Sequence, residues 1–415
     1  MSPVRPAVTV VGRRSDPEHF ALRDFLTRVA QPFEWLEAGT RAADEAARGL
    51  ALPVLIDGGD VMAGVTVRDL AHAWHLDRAP RRDDYDMVIV GAGPAGLAAA
   101  VYAASDGLST LILERDVPGG QASHTSLIEN FFGFPDGIGG AELARLAGRQ
   151  AERFGAELTL MRGVTGSRRD PGGCFAITAD GGHDVRARVV LAAPGMVWRR
   201  LEVDGVDELI GRGVYYGAGR SEAARCGDHD VLVVGAGNSA GQAVMNLAGA
   251  GARVTMLVRG DGLGTTMSDY LVRRIQGHPL IDVRLRSQVR AVHADGGTLA
   301  AVTISGPDGQ EQRPARALFV CIGGRPRTGW TADAGVRTDR AGHILTGPDL
   351  LDAGERPVGW PLPRDPLALE TSVPGLFAAG DVRHGSVKRV AGAVGEGAMA
   401  VALAHRRLDE LSLGA

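Results

Sequence analysis

Short apolar runs separated by polar, glycine-bearing stretches set out the elements of this chain. Val8-Thr9-Val10-Val11 reads as a strand and Pro17 to about Ala30 as a helix. Phe33-Glu34-Trp35-Leu36 is a second strand, Thr40 to Ala47 a second helix, and Leu52-Pro53-Val54-Leu55-Ile56 a third strand. A short strand near Val61 and a helix from about Val67 to Leu76 follow. Runs of this length, rich in branched residues and bounded by turn residues, are the mark of buried strands. The polar stretch Ala79-Pro80-Arg81-Arg82-Asp83-Asp84 is a linker. Beyond it, Met87-Val88-Ile89-Val90 and Val231-Leu232-Val233-Val234 are continuous apolar runs, the pattern of strands buried on both faces of a parallel sheet. Pro374 to Asp381 forms a late strand, Gly395 to about Leu408 a closing helix, and residues 347–370 an irregular surface segment.

Both long apolar runs lead into a glycine turn and then a helical pattern. The first turn is Gly91-Ala92-Gly93-Pro94-Ala95-Gly96 and the second Gly235-Ala236-Gly237-Asn238-Ser239-Ala240. Strand, tight glycine turn and helix are the dinucleotide fingerprint, in which a pyrophosphate rests on the helix N-terminus. In the first unit the next strand, Thr110-Leu111-Ile112-Leu113, ends in Glu114, 23 positions after Gly91. In the second, Val258 lies 23 positions after Gly235 and is followed by Arg259. A carboxylate at that offset accepts from a ribose diol, whereas an arginine without a carboxylate tolerates a 2′-phosphate. FAD is therefore expected at the first site and NADPH at the second, with NADH as the alternative there.

Composition narrows the setting. At 415 residues the chain has room for two or three domains. A net charge of -4 provides no basic footprint for nucleic acid, and 5% aromatic content offers few base-stacking surfaces. No apolar stretch is long enough for a bilayer, and Met1-Ser2-Pro3-Val4-Arg5-Pro6 lacks a signal-peptide core, so a cytoplasmic location is expected. Cys174, Cys226 and Cys321 form no Cys-x-x-Cys pair, which leaves metal ligation and a dithiol centre without their spacing signature. Cys321 falls in a strand-like run and is expected to be buried; Cys226, between Arg225 and Gly227, is expected in an exposed loop.

Residues 84–412 resemble the thioredoxin reductase family of two-domain flavoproteins. The markers are Gly119-Gly120-Gln121 with Ile128 to Pro135, around Asn130, for the loop beneath the flavin; Ala193-Pro194-Gly195 and Ile322 to Pro326 for the interdomain crossings; and Ala379-Gly380-Asp381-Val382 for the second FAD motif. The resemblance implies that Asp381 bonds the ribityl chain and that Lys388-Arg389-Val390 sits under the flavin. It also implies that the helix from Ala393 faces the pyrimidine end of the ring, where its dipole favours the anionic reduced form. The order β-α-β-α-β-β-α before residue 82 resembles a thioredoxin or glutaredoxin fold, with Pro53 at its cis-proline position. Asp16-Pro17-Glu18-His19 stands where redox members carry Cys-Pro-x-Cys, so the module is expected to be redox-silent. Asp16 is explained as a helix N-cap with Pro17 at the first helical position, and His19 as a solvated helix residue. The expected fold is thus α/β: an N-terminal thioredoxin-like domain (1–82), an FAD domain (83–201 and 331–415) and an NAD(P)H domain (202–330), the last two Rossmann-like three-layer units.

Two departures from the family matter. Its second nucleotide domain opens with Gly-Val-x-x-Cys-x-x-Cys, whereas this chain has Gly213-Val214-Tyr215-Tyr216-Gly217-Ala218-Gly219-Arg220. A disulfide relay needs thiols, whatever the fold. The family's His-Arg-Arg is here Val258-Arg259-Gly260. The expected activity is therefore FAD-dependent oxidation of NAD(P)H with electrons passed from flavin directly to a small-molecule acceptor. A flavin oxidase or oxygenating enzyme, and a redox-sensing or partner-binding flavoprotein with the N-terminal domain docking a protein, are the alternatives. A ferredoxin reductase is less favoured, because the tail Leu411 to Ala415 holds no aromatic. His124 is the candidate acid or base, His384 a second, Arg220 a candidate anion binder, and Tyr215 and Tyr216 candidate stacking groups. No metal site or membrane association is expected, and the resemblance implies a homodimer.

Overall fold

In the computed structural model, residues 7–413 are described except 126, 171, 218–225 and 265–266. The N-terminal layer follows the expected element order: β1 (Val8–Gly12), α1 (Pro17–Arg28), β2 (Phe33–Glu37), α2 (Arg41–Ala47), β3 (Val54–Asp57), β4 (Asp60–Ala63) and α3 (Val67–Ala73). Its four-stranded sheet runs β2-β1-β3-β4, with β1 parallel to β2 and antiparallel to β3, and the Leu52-Pro53 peptide is cis. Asp16 caps α1 by accepting from the backbone N–H groups of Glu18 and His19, and Pro17 fills the first turn, where a missing N–H is harmless. His19 is not solvated. It shares the buried stripe of α1 with Leu22, Arg23 and Leu26, at the three- and four-residue spacing of one helix face, and its Nδ1 accepts from the Arg13 N–H at 2.8 Å.

The first nucleotide sheet starts with β5 (Asp84–Val90), α4 (Pro94–Ser105) and β6 (Thr110–Leu113), followed by α5 (Gly140–Arg153) and β7 (Glu157–Thr159). A meander of β8 (Val164–Arg169), β9 (Phe175–Ala179) and β10 (His183–Ala192) completes its first part. The parallel core runs β7-β6-β5-β10. The long β10 pairs first with β9 and, at Val190–Ala192, with the distant β21 (Leu376–Ala378). A two-stranded ribbon, β11 (Met196–Trp198) against β20 (Gly324–Pro326), carries the chain out and back.

Between the two ribbon strands lies a second parallel sheet in the order β12 (Val214–Tyr216), β19 (Ala317–Val320), β13 (Asp230–Val234), β14 (Arg253–Leu257) and β15 (Ile281–Arg284). It carries α6 (Asn238–Gly249) and α7 (Asp269–Gln276), and an antiparallel meander β16 (Gln288–Asp295), β17 (Thr298–Gly306), β18 (Gly309–Pro314). The chain then returns to the first sheet through β21 and α8 (Val390–Leu413). Helix α8 starts earlier than the glycine run predicts and crosses α4 in backbone contact: a Cβ on Gly397 would lie 2.1 Å from the Ala95 carbonyl oxygen. That approach sets the N-terminus of α8 beside that of α4.

The 347–370 segment is irregular but not wholly superficial. Leu350, Leu367 and Leu369 are buried, and the Glu370 carboxylate is fully buried. Glu370 accepts from the backbone N–H groups of Leu367 and Gly375 and from Arg364 at 2.6 Å, and Arg364 also grips Glu410 near the end of α8. The anchor is ionic, which a reading of proline and glycine content does not detect.

Candidate functional site

A cavity of about 850 Å³ opens where the N-terminal layer and both nucleotide sheets meet. Its geometry begins with the first glycine turn. Gly91 has φ +106°, and a Cβ there would lie 2.2 Å from the Ala193 carbonyl oxygen. A Cβ on Gly96 would lie 1.9 Å from the Gly91 carbonyl oxygen, so α4 starts in backbone contact with its own turn. Around Gly93, by contrast, nothing lies within 4 Å of such an atom. The backbone is folded tightly behind the turn and left open above the N-terminus of α4, the arrangement a pyrophosphate requires. The second turn repeats the pattern: a Cβ on Gly235 would lie 2.3 Å from the Cys321 carbonyl oxygen, and Gly237 is open.

Glu114 lines the cavity at the end of β6. Its buried carboxylate accepts from the Ala92 N–H at 2.7 Å and the Asp116 N–H at 2.9 Å, and burial pushes its pKa up. Each oxygen retains a further lone pair for a ribose hydroxyl. Asp381, also in the wall, has its pKa raised by burial against the opposing pull of Lys388. The residues present thus fit an FAD: a glycine cradle, a helix N-terminus, a ribose carboxylate and a second acid.

The cavity gathers most of the expected side chains. Gly91, Gly93, Pro94, Ala95, Gly120, Gln121, Asn130, Gly380, Lys388, Arg389 and Val390 line it from the first nucleotide sheet, and Asn238 and Ser239 from the second. Gly96, Gly235, Gly237 and Ala240 do not line it, and neither does the exposed Arg259. Two contacts tie the nucleotide sheets together here, Arg274 on Glu129 at 3.0 Å and Arg389 donating to the Ser268 hydroxyl at 3.1 Å.

His124 occupies the wall where all three layers converge. Its ring stands edge-on to Trp198 with centroids 6.1 Å apart, and its Nδ1 lies 3.9 Å from Asp24 of α1. Burial lowers its pKa, Asp24 opposes and Arg28 adds to the lowering. The NMR titration midpoint of His124 is therefore expected below its ordinary 6.5. Because the unfolded imidazole binds the proton more readily, the folded chain loses stability as pH falls through 6.5, and His124→Gln is expected to flatten that acid limb.

Other expectations fare differently. His384 is half-exposed, bonds Asp339 at 2.8 Å and lies outside the cavity wall, because the turn after Gly380–Val382 aims it away. Arg220 lies outside the described residues. Cys226 is buried, not exposed: it joins the core with Val231, Ala248 and Ala252. Cys321 is buried as expected, donates to the Gly217 carbonyl at 3.4 Å and is pushed up to about 12 by burial. Gly217 faces the candidate His124 and its neighbour Trp198, since a Cβ there would lie 3.7 Å from His124 and 3.2 Å from Trp198. The sequence reading missed Trp198 and three α1 residues in the wall, Phe20, Asp24 and Arg28. The only linear hint of the latter is their helical spacing.

Comparison with known proteins gives a consistent assignment. The family model for pyridine nucleotide-disulphide oxidoreductase matches residues 85–397. The chain is 32% identical over 331 residues to a thioredoxin reductase of Bacillus subtilis (strain 168), covering 79% of this chain and 96% of the relative. It is 33% identical to a thioredoxin reductase of Listeria monocytogenes, with 79% and 95% covered. The solved T. acidophilum thioredoxin reductase superposes with a TM-score of 0.69 at 29% identity, covering 78% of this chain and 99% of that one. Thioredoxin reductases use FAD and NADPH and are oxidoreductases. With its paired glycine turns, Glu114 and the shared cavity, this chain belongs to the pyridine nucleotide-disulphide oxidoreductase family.

Proposed function

We propose that this chain is an FAD-dependent NAD(P)H oxidoreductase that passes electrons from flavin to a small-molecule acceptor with no redox disulfide between them. When bound, FAD supplies the two-electron carrier and NADPH the hydride. The observation that carries the reading is Gly217: a residue without a thiol stands beside His124 and Trp198, at the position where the resemblance calls for the first relay cysteine. The neighbouring Cys321 is buried, with its thiolate strongly disfavoured. Gly91, Gly93, Pro94, Ala95, Glu114 and Asp381 would hold FAD, and Asn238, Ser239 and Arg259 the nicotinamide nucleotide. His124, neutral by burial, would hold or take up a proton at Nδ1 or Nε2. The N-terminal layer is read as a thioredoxin-like domain of residues 1–82 that is redox-silent, followed by FAD (83–201, 331–415) and NAD(P)H (202–330) domains. A homodimer in the cytoplasm is the expected state.

The test combines spectroscopy with thiol counting. The purified protein is expected to be yellow and to bleach with NADPH under anaerobic conditions. Thiol titration under native conditions is expected to find at most the half-buried Cys174 reactive, and to find no increase after NADPH reduction. Two new thiols on reduction would overturn the disulfide-free reading. Reoxidation by quinones, small disulfides, ferredoxin and oxygen, compared at equal concentration, then identifies the acceptor class.

A further inference from the structure

We infer that the N-terminal layer is a retaining wall of the flavin cavity and that Arg28 is a positioning residue for bound FAD, acting through the loop of residues 114–124. The inference rests on the FAD reading above. This loop begins at Glu114, the ribose carboxylate, and ends in the short 3₁₀ turn Gly120–His124 in the cavity wall. Between these ends it is no strand of the first nucleotide sheet: backbone bonds from Gly119 to the Ala92 carbonyl at 2.7 Å and from Met161 to the Asp116 carbonyl at 3.3 Å hold it from inside, and side chains of the N-terminal layer hold it from outside.

The grip comes from α1 and the core beneath it. The Arg28 guanidinium donates to Asp116 at 2.7 Å and to the Ser123 hydroxyl at 3.4 Å, thereby tying the two halves of the loop to one side chain. Asp24, one helical turn earlier, holds the same guanidinium at 3.4 Å. Val117, at the middle of the loop, is 1% exposed and belongs to the buried cluster of Val8, Leu26 and Trp74, the core of the N-terminal layer. Arg28 and Asp24 themselves line the cavity, and α1 continues across it to pack Phe20, tilted by 47°, against Tyr215 of the second nucleotide sheet, with ring centroids 5.3 Å apart. Arg28 also offsets the Asp116 charge two residues from Glu114. Loss of Arg28 removes the outer tie at both Asp116 and Ser123 and leaves Asp116, two residues from Glu114, without its ion-pair partner. FAD held by Glu114 and Gly120 then leaves through a loosened wall.

The experiment follows the rise of FAD fluorescence when full-length holoprotein is diluted, with thermal unfolding measured in parallel. Arg28→Ala and Asp116→Asn are each expected to release FAD at least tenfold faster than wild type. The double variant is expected to be no faster than the worse single, and Arg28→Lys to restore part of the retention. Arg41→Ala, at a 93% exposed site of the same layer, is expected to match wild type. Val117→Ala reads the same grip without touching charge, which covers the case in which Arg28→Ala fails to fold. Wild-type release rates in Arg28→Ala and Asp116→Asn overturn the inference. So does faster release that merely tracks melting temperature, with Arg28→Lys no better than Arg28→Ala. A wild-type chain that purifies without FAD removes the flavin reading itself, and the wild-type arm alone reveals it.

Discussion

Gly93→Ala is expected to leave the fold intact and to weaken FAD binding about 100-fold, equivalent to about 2.7 kcal/mol. Gly93 has φ -72° and ψ -178°, extended backbone that alanine adopts freely, and nothing lies within 4 Å of the added methyl. Gly93 makes no side-chain cap to lose, so the apoprotein should melt within about 1 kcal/mol of wild type. The methyl instead fills the open space above the N-terminus of α4, where the pyrophosphate must approach the backbone. Gly96→Ala is the contrasting case: its Cβ would collide with the Gly91 carbonyl at 1.9 Å, so both melting and binding should fail. Titration of apoprotein with FAD, followed by quenching of flavin fluorescence, separates the two. Wild-type affinity in Gly93→Ala would sink the assignment of this turn to the pyrophosphate.

Arg364→Ala is expected to destabilise the chain by about 3 kcal/mol, the low end for breaking one side of a buried ion pair. The low end applies because Arg364 is itself 21% exposed, whereas Glu370 is fully buried. The deletion leaves the Glu370 carboxylate with only the Leu367 and Gly375 N–H groups and detaches Glu410 of α8. For a cooperative unit of 150–250 residues this corresponds to a fall in Tm of roughly 6–12 °C. Adding Glu370→Gln to Arg364→Ala removes the stranded charge and should recover part of the loss. A single variant that melts within about 1 kcal/mol of wild type would show that the clamp contributes little. Differential scanning calorimetry on all three chains decides it.

What the sequence discloses depends on how locally each feature is determined. The glycine turns were legible because the constraint is written in the backbone: Gly91 and Gly96 must touch each other within six residues, whatever surrounds them. Glu114 was legible because one helix and one strand fix its distance from that turn. The N-terminal element order was legible from apolar periodicity and the Asp16-Pro17 cap. His19 and Cys226 were misread because polar neighbours in sequence suggested exposure, whereas burial was decided by a helix stripe and a core assembled from distant strands. His384 was read by its nearness to Asp381 in sequence, yet the intervening turn sends it to Asp339. Beyond its helical spacing from Asp24, the role of Arg28 could not be read. Its partners, Asp116 and Ser123, are 88 and 95 residues away, and only the packing of one layer on another brings them together.

The split of the first nucleotide sheet has a consequence for how the molecule comes off the ribosome. Its strand β10 waits for β21, and the small-residue face of α4 waits for α8, both translated after β19 has completed the second sheet. The second nucleotide unit is contiguous and can close while synthesis continues, whereas the flavin unit stays open until its last helix emerges. Chains tend to fold unit by unit as they are made, so here the middle of the polypeptide matures before the segments that flank it. The glycine turn that cradles FAD is translated early and becomes a complete site last. The cavity wall, which includes Val390 and Ala393 of α8, is complete only in chains that have been read into that helix.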